Sequence, residues 1–106
     1  VRSAIADDSN DFFVSAASAW EISTKRRIGK LPDADSIPSE GFEGIVRSQG
    51  FLPLPVALSH GEAGGALPGV HKDPFDRLLI AQAILENLTL VSNEQLFDSY
   101  GVRRLW

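Results

Sequence analysis

The 106-residue chain predicts a three-layer α/β fold with a mainly parallel sheet. Three observations predict it. Short runs of strand length alternate with helix-length stretches, the strand runs are nearly continuously apolar as in strands covered on both faces, and glycines or turn formers mark each boundary. No repeat, low-complexity tract or interdomain linker interrupts the pattern, so residues 1–106 read as one domain. In such folds ligands belong at the carboxyl ends of the strands.

Val1–Ala6 reads as the last turns of a helix already under way, ended by the turn formers Asp7–Asn10. Phe12-Phe-Val14 is a short run of strand formers. Ser15–Ile28 follows as a helix stopped by Gly29, which can adopt the left-handed conformation. Leu31–Ser39, with two prolines, is a loop, and Glu40–Gln49 a weak helix closed by Gly50. Phe51–Pro55 reads as an edge strand because its two prolines remove ladder donors. Leu58–Leu67 is a small, glycine-rich helix, and Pro68–Lys72 a loop.

Asp73–Glu86 carries the clearest helix signal: Asp73 can cap, Pro74 suits the first helical position, and Asp76 places a carboxylate where the exposed amides and the macrodipole favour it. Asn87 is the stop. Leu88–Val91 is a buried-type strand, Asn93–Tyr100 a short helix with Ser92 as cap, and Val102–Trp106 a final strand.

Composition narrows the chemistry. There is no Cys and there are two His, too few for zinc-finger spacing, so a bound metal must be held mainly by oxygens, which favours Mg²⁺ or Mn²⁺. At this length folding buries roughly 65% of the extended chain's surface, enough for a modest core without disulfides. No run of eighteen apolar residues and no signal-peptide pattern occur, so the chain reads as soluble and cytoplasmic, with no membrane contact. A net charge of -4 argues against wrapping nucleic acid through a globally basic surface, although a local basic patch remains open. The chain contains no Met and begins with Val1, which suggests that a preceding segment is absent.

Three acids fall on the side where an α/β active site is expected. Glu21 shares a helix face with Ala17, Thr24, Lys25 and Ile28. On spacing alone, an i,i+4 surface pair with Lys25 is the weightier explanation. Asp76 aligns with Leu79, Ile80 and Ala83, and its structural alternative is a share in the helix start begun by Asp73. Glu94 follows the Leu88–Val91 strand; the alternative makes Ser92 a cap, Gln95 its capping-box partner and Glu94 a first-turn acid. Three carboxylates gathered from separate segments would repel one another without a cation between them.

Lys25, Arg26, Arg27 and Lys30 form the dense basic cluster, either a solvated face or a track for a phosphate backbone, which His71 and Lys72 could extend. His60 reads as surface or core filler. Trp20 and Trp106 read as core anchors rather than base-stacking platforms.

Val14-Ser-Ala-Ala-Ser-Ala-Trp-Glu-Ile22, Lys25–Leu31, Asp73-Pro-Phe-Asp-Arg-Leu-Leu-Ile-Ala-Gln-Ala83, Leu88–Val91 and Tyr100–Trp106 resemble the PIN-domain ribonucleases of the VapC toxin type, along the whole chain. The resemblance implies a five-stranded parallel sheet between helices and four acids that hold Mg²⁺ or Mn²⁺ for attack of water on an RNA phosphodiester. Carried over, it makes Glu21, Asp76 and Glu94 metal ligands and catalytic residues, with Glu94 where the family usually has Asp. Ser92 stands where the family usually has a Thr that supports the water. Lys25, Arg26 and Lys72 are expected on substrate phosphates, and Asp73 is kept as the helix cap.

The implied partners are RNA and a neutralising antitoxin protein. The family's first β-strand, central in the sheet and ending in an Asp-Thr-His-like motif, has no counterpart here, so the chain reads as an N-terminally truncated PIN domain. Strands left unpaired by that loss invite homodimerisation. The competing expectation is a catalytically inactive remnant that only binds an antitoxin or dimerises.

Overall fold

The computed structural model describes residues 11–30, 41–69, 73–91 and 95–105. They fall into two compact units that divide after Pro55. The expectations for Val1–Asn10, Leu31–Ser39 and Trp106 lie outside the described residues.

The first unit runs β1 (Phe13–Ser15), α1 (Ala16–Arg27), α2 (Gly41–Ser48) and β2 (Leu52–Leu54). β1 and β2 pair in parallel, with Phe13 opposite Leu52, Val14 opposite Pro53 and Ser15 opposite Leu54. The Leu52 amide donates to the Phe12 carbonyl at 2.8 Å. Because alternate residues of a strand face opposite neighbours, Pro53 turns its missing donor away from β1, and the edge-strand reading holds. The Phe12 and Phe51 rings meet in a tilted pair, centroids 6.2 Å apart.

Ser15 ends the strand and starts the helix: its Oγ accepts from the Ala17 amide at 3.0 Å, satisfying one of the orphan donors of α1. At the other end Gly29 takes φ +74°, its amide reaches the Arg26 carbonyl at 3.2 Å, and the Lys30 amide reaches the Lys25 carbonyl at 2.8 Å. This paired closure through a left-handed residue is a Schellman motif. α2 ends the same way at Gly50, φ +78°, with the Phe51 amide on the Val46 carbonyl at 3.0 Å.

The second unit holds α3 (Leu58–Ala66), α4 (Pro74–Leu85), β3 (Leu90–Val91), a 3₁₀ helix (Gln95–Tyr100) and β4 (Arg104–Leu105). β3 and β4 pair in parallel, Leu90 opposite Arg104 and Val91 opposite Leu105. α3 and α4 pack closely because Gly64 is buried at their contact; a Cβ there would lie 3.3 Å from the Arg77 carbonyl oxygen. Arg77 closes the contact, its Nε donating to the Gly64 carbonyl at 3.0 Å and its guanidinium also reaching the carbonyls of Leu67 and Gly65. Four successive residues of α4, Ile80 to Ala83, are buried, and Phe97 of the 3₁₀ helix is buried too.

α4 closes like the helices of the first unit, but with Asn87 in the left-handed position at φ 55° and the Leu88 amide on the Ala83 carbonyl at 2.8 Å. Arg103 holds that turn by donating to the Asn87 carbonyl at 2.9 Å and its Oδ1 at 2.8 Å. The strand expected over Leu88–Val91 is therefore shorter, since the amide of Leu88 is committed to ending the helix. The final strand likewise starts later than expected and is described over Arg104–Leu105, and the helix expected over Asn93–Tyr100 is described from Gln95 and is 3₁₀.

All described strand pairs are parallel, the make-up of the predicted three-layer α/β/α class.

Candidate active site

Glu21 stands in the second turn of α1, on the side of the helix that carries buried Ala17. Its side chain is 27% exposed, and Oε2 lies 3.7 Å from the Nζ of half-exposed Lys25. The surface pair anticipated from the spacing is thus present. Such i,i+4 pairs contribute about 0.2–0.5 kcal/mol. Arg26 and Arg27 complete the last turn of α1 and are exposed.

Asp76 stands in the first turn of α4 and is half-buried. The helix start is secured by Asp73, whose Oδ1 accepts from the amides of Phe75 at 2.9 Å and Asp76 at 3.5 Å. Pro74 occupies the first helical position, as its lack of an amide hydrogen suits. Capping therefore accounts for Asp73, and Asp76 contributes one of the amides that the cap serves.

Both described acids offer carboxylate oxygens at half-buried positions, a donor type suited to a hard divalent cation. Glu21 belongs to the first unit and Asp76 to the second. Among the described residues no three His, Asp or Glu side chains stand close enough to share a metal. Glu94, Ser92, His71 and Lys72 lie outside the described residues.

Three side chains have roles that the sequence did not announce. Trp20, expected in the core, is 67% exposed. Its neighbours one and two turns on, Ser23, Thr24 and Arg27, are polar, and that company is the signal for an outward-facing position. His60 is buried, and its Nδ1 accepts from the Ala57 amide at 2.9 Å while Nε2 faces the Glu86 carboxylate at 2.9 Å. The neutral ring with its hydrogen on Nε2 satisfies both contacts, joining the start of α3 to the end of α4. Arg77 supplies the carbonyl clasp described above. No feature other than its place after Asp76 marks it in the sequence.

Asp98 lies outside the expected ligand set. Arg104 donates to its carboxylate at 2.8 and 3.1 Å, and this hydrogen bonding holds the Asp98 carboxyl below its ordinary value.

The chain matches the family described as PIN domain over residues 1–102. Ribonuclease VapC16 of Mycobacterium tuberculosis is 40% identical over 60 residues, which cover 56% of this chain and 41% of that protein. The chain thus matches under half the length of that curated relative. No solved structure matches it.

Proposed function

The chain belongs to the PIN-domain family, and from that premise we propose that the protein it represents is a divalent-metal-dependent endoribonuclease of the VapC toxin type, hydrolysing RNA phosphodiester bonds and neutralised by a cognate antitoxin. The observation that carries this reading is the family match over residues 1–102, a range that includes Glu21, Asp76 and Glu94.

On this reading Glu21, Asp76 and Glu94 hold the ion, an all-oxygen set suited to Mg²⁺ or Mn²⁺. When bound, it supplies Lewis-acid polarisation of the phosphate and a water of lowered pKa. The Ser92 hydroxyl orients the attacking water through a hydrogen bond. Lys25, Arg26 and Lys72 hold substrate phosphates, and the 3.7 Å contact to Glu21 keeps the Lys25 cation beside one of the acids.

The working form is a cytoplasmic homodimer. Support for self-association comes from large apolar side chains left on the surface, Leu58, Ile84 and Leu85 among them. None of the described helices is long and apolar enough to cross a membrane.

The test is RNA cleavage with Mg²⁺ or Mn²⁺. Glu21→Gln, Asp76→Asn and Glu94→Gln are each expected to slow cleavage by about 100-fold or more, and chelation to abolish it. Asp76→Asn keeps the Asp73 cap, so its loss of activity reads the ligand rather than the helix. Cleavage that survives chelation, or that Asp76→Asn leaves intact, would falsify the assignment.

A further inference from the structure

We propose that Trp20 is a stacking platform for one unpaired base of single-stranded RNA, with the cations at the end of α1 holding the adjoining backbone. This deepens the ribonuclease reading and rests on it for the identity of the nucleic acid.

An indole is rarely left in water, since burying one removes about 150–250 Å² of surface. Trp20 is nevertheless 67% exposed, on a helix whose first turn is fixed by the Ser15 cap and whose last is fixed by the Gly29 closure. The side chain is therefore displayed from a firmly ended helix. At the end of the same helix the charge is opposite to that of the chain as a whole: Lys25, Arg26, Arg27 and Lys30 are four of the ten Lys and Arg in a chain of net charge -4, they fall within six residues, and Arg27 among them shares the side of Trp20. The acid on α1 is Glu21, and Lys25 already faces it at 3.7 Å.

Arg27 lies two turns from Trp20 on the same side of α1, about 10 Å along the axis at 1.5 Å per residue. That separation suits one base on the indole with a phosphate a nucleotide or two away on the guanidinium. Sequence-tolerant binding of single strands uses this combination of an aromatic face and a cationic track.

The composition of the face also distinguishes RNA from a protein helix. A helix seated in a groove needs apolar anchors at successive turns, and the residues one and two turns beyond Trp20 are Ser23, Thr24 and Arg27. An isolated indole among hydroxyls and cations lacks the stripe that such a partner would bury.

The experiment is binding of the full chain to a fluorescein-labelled single-stranded RNA in chelator, so that no cleavage is required, with indole emission followed in a Trp106→Phe background. RNA is expected to quench Trp20 emission. Trp20→Ala is expected to weaken binding about tenfold or more, Trp20→Phe to retain most of it, and Arg26→Gln with Arg27→Gln to weaken it and flatten its salt dependence. Unchanged emission at saturating RNA, or Trp20→Ala binding as tightly as the parent, sinks the proposal. So does loss of binding to a protein encoded beside it when RNA binding is intact, because the face then belongs to that protein. Binding with quenching but no cleavage under any metal leaves the platform standing and removes the nuclease. Cleavage with an unchanged KM in Trp20→Ala does the reverse.

Discussion

α1 and α4 each span twelve residues and each carries a proposed ligand acid, yet they are held by different means. α4 buries four successive residues, Ile80 to Ala83, with Ile80 fully buried, so one full turn of it is enclosed on every side before Ile84 and Leu85 return to the surface. α1 buries Ala17 alone and leaves Trp20 and Ile28 on the surface. Packing defines the first and end closures define the second, through Ser15 and Gly29. The lesson is one of division: the acid of α4 is mounted on a core element, whereas α1 is a surface element whose side chains are available for contact.

The widest gap between the helices should appear in their apolar residues. Ile80→Ala is expected to cost about 2–5 kcal/mol, from lost transfer energy and the cavity left behind, whereas Trp20→Ala should stay within about 0.5 kcal/mol. Urea unfolding of the two variants measures this directly. A large loss for Trp20→Ala would break the comparison by placing the indole in a core.

A smaller effect sharpens the account of the α4 start. Asp73→Ala should lose about 1 kcal/mol through the two amides its carboxylate serves, and Asp73→Asn much less, since the amide oxygen can still accept. Thermal melts of the pair separate the cap from its charge. If Asp73→Asn were as damaging as Asp73→Ala, the carboxylate would be needed for something other than capping.

The smallest effect concerns the end of the chain. Arg104 lowers the Asp98 pKa chiefly by hydrogen bonding, so the contact favours the folded state above the ordinary carboxylate pKa of about 3.9 and its contribution fades as pH falls through the lowered one. Carboxyl NMR should show Asp98 titrating below an unpaired aspartate, and Arg104→Gln should move it back up. An unmoved titration would remove the pair from the account of β4.

Much of this was legible because particular residues have few alternatives. Gly29, Gly50 and Asn87 all stop helices where expected, since Gly and Asn tolerate the left-handed conformation that the closure requires. Asp73-Pro74 marked its helix start for equally local reasons. Strand lengths were less legible because apolar character does not reveal that the Leu88 amide is already taken. Trp20 misled because hydrophobicity measures the benefit of burial, not whether a neighbouring surface exists to supply it. Of the site, Glu21 and Asp76 stand on the helices assigned to them, with Glu21 in the surface pair that its spacing allowed. Their convergence with Glu94 rests on the proposed chemistry.

The clasp of Arg77 gathers the end of α3 onto α4 at one point, away from the His60–Glu86 contact. One planar fork serves the carbonyls of Gly64, Gly65 and Leu67, and a lysine, offering a point charge on a flexible stem, could not span them together. Insertions between Pro68 and Asp73 should consequently be tolerated far better than a change at this single rivet, which fixes where the first helix of the hairpin lets go and the second begins.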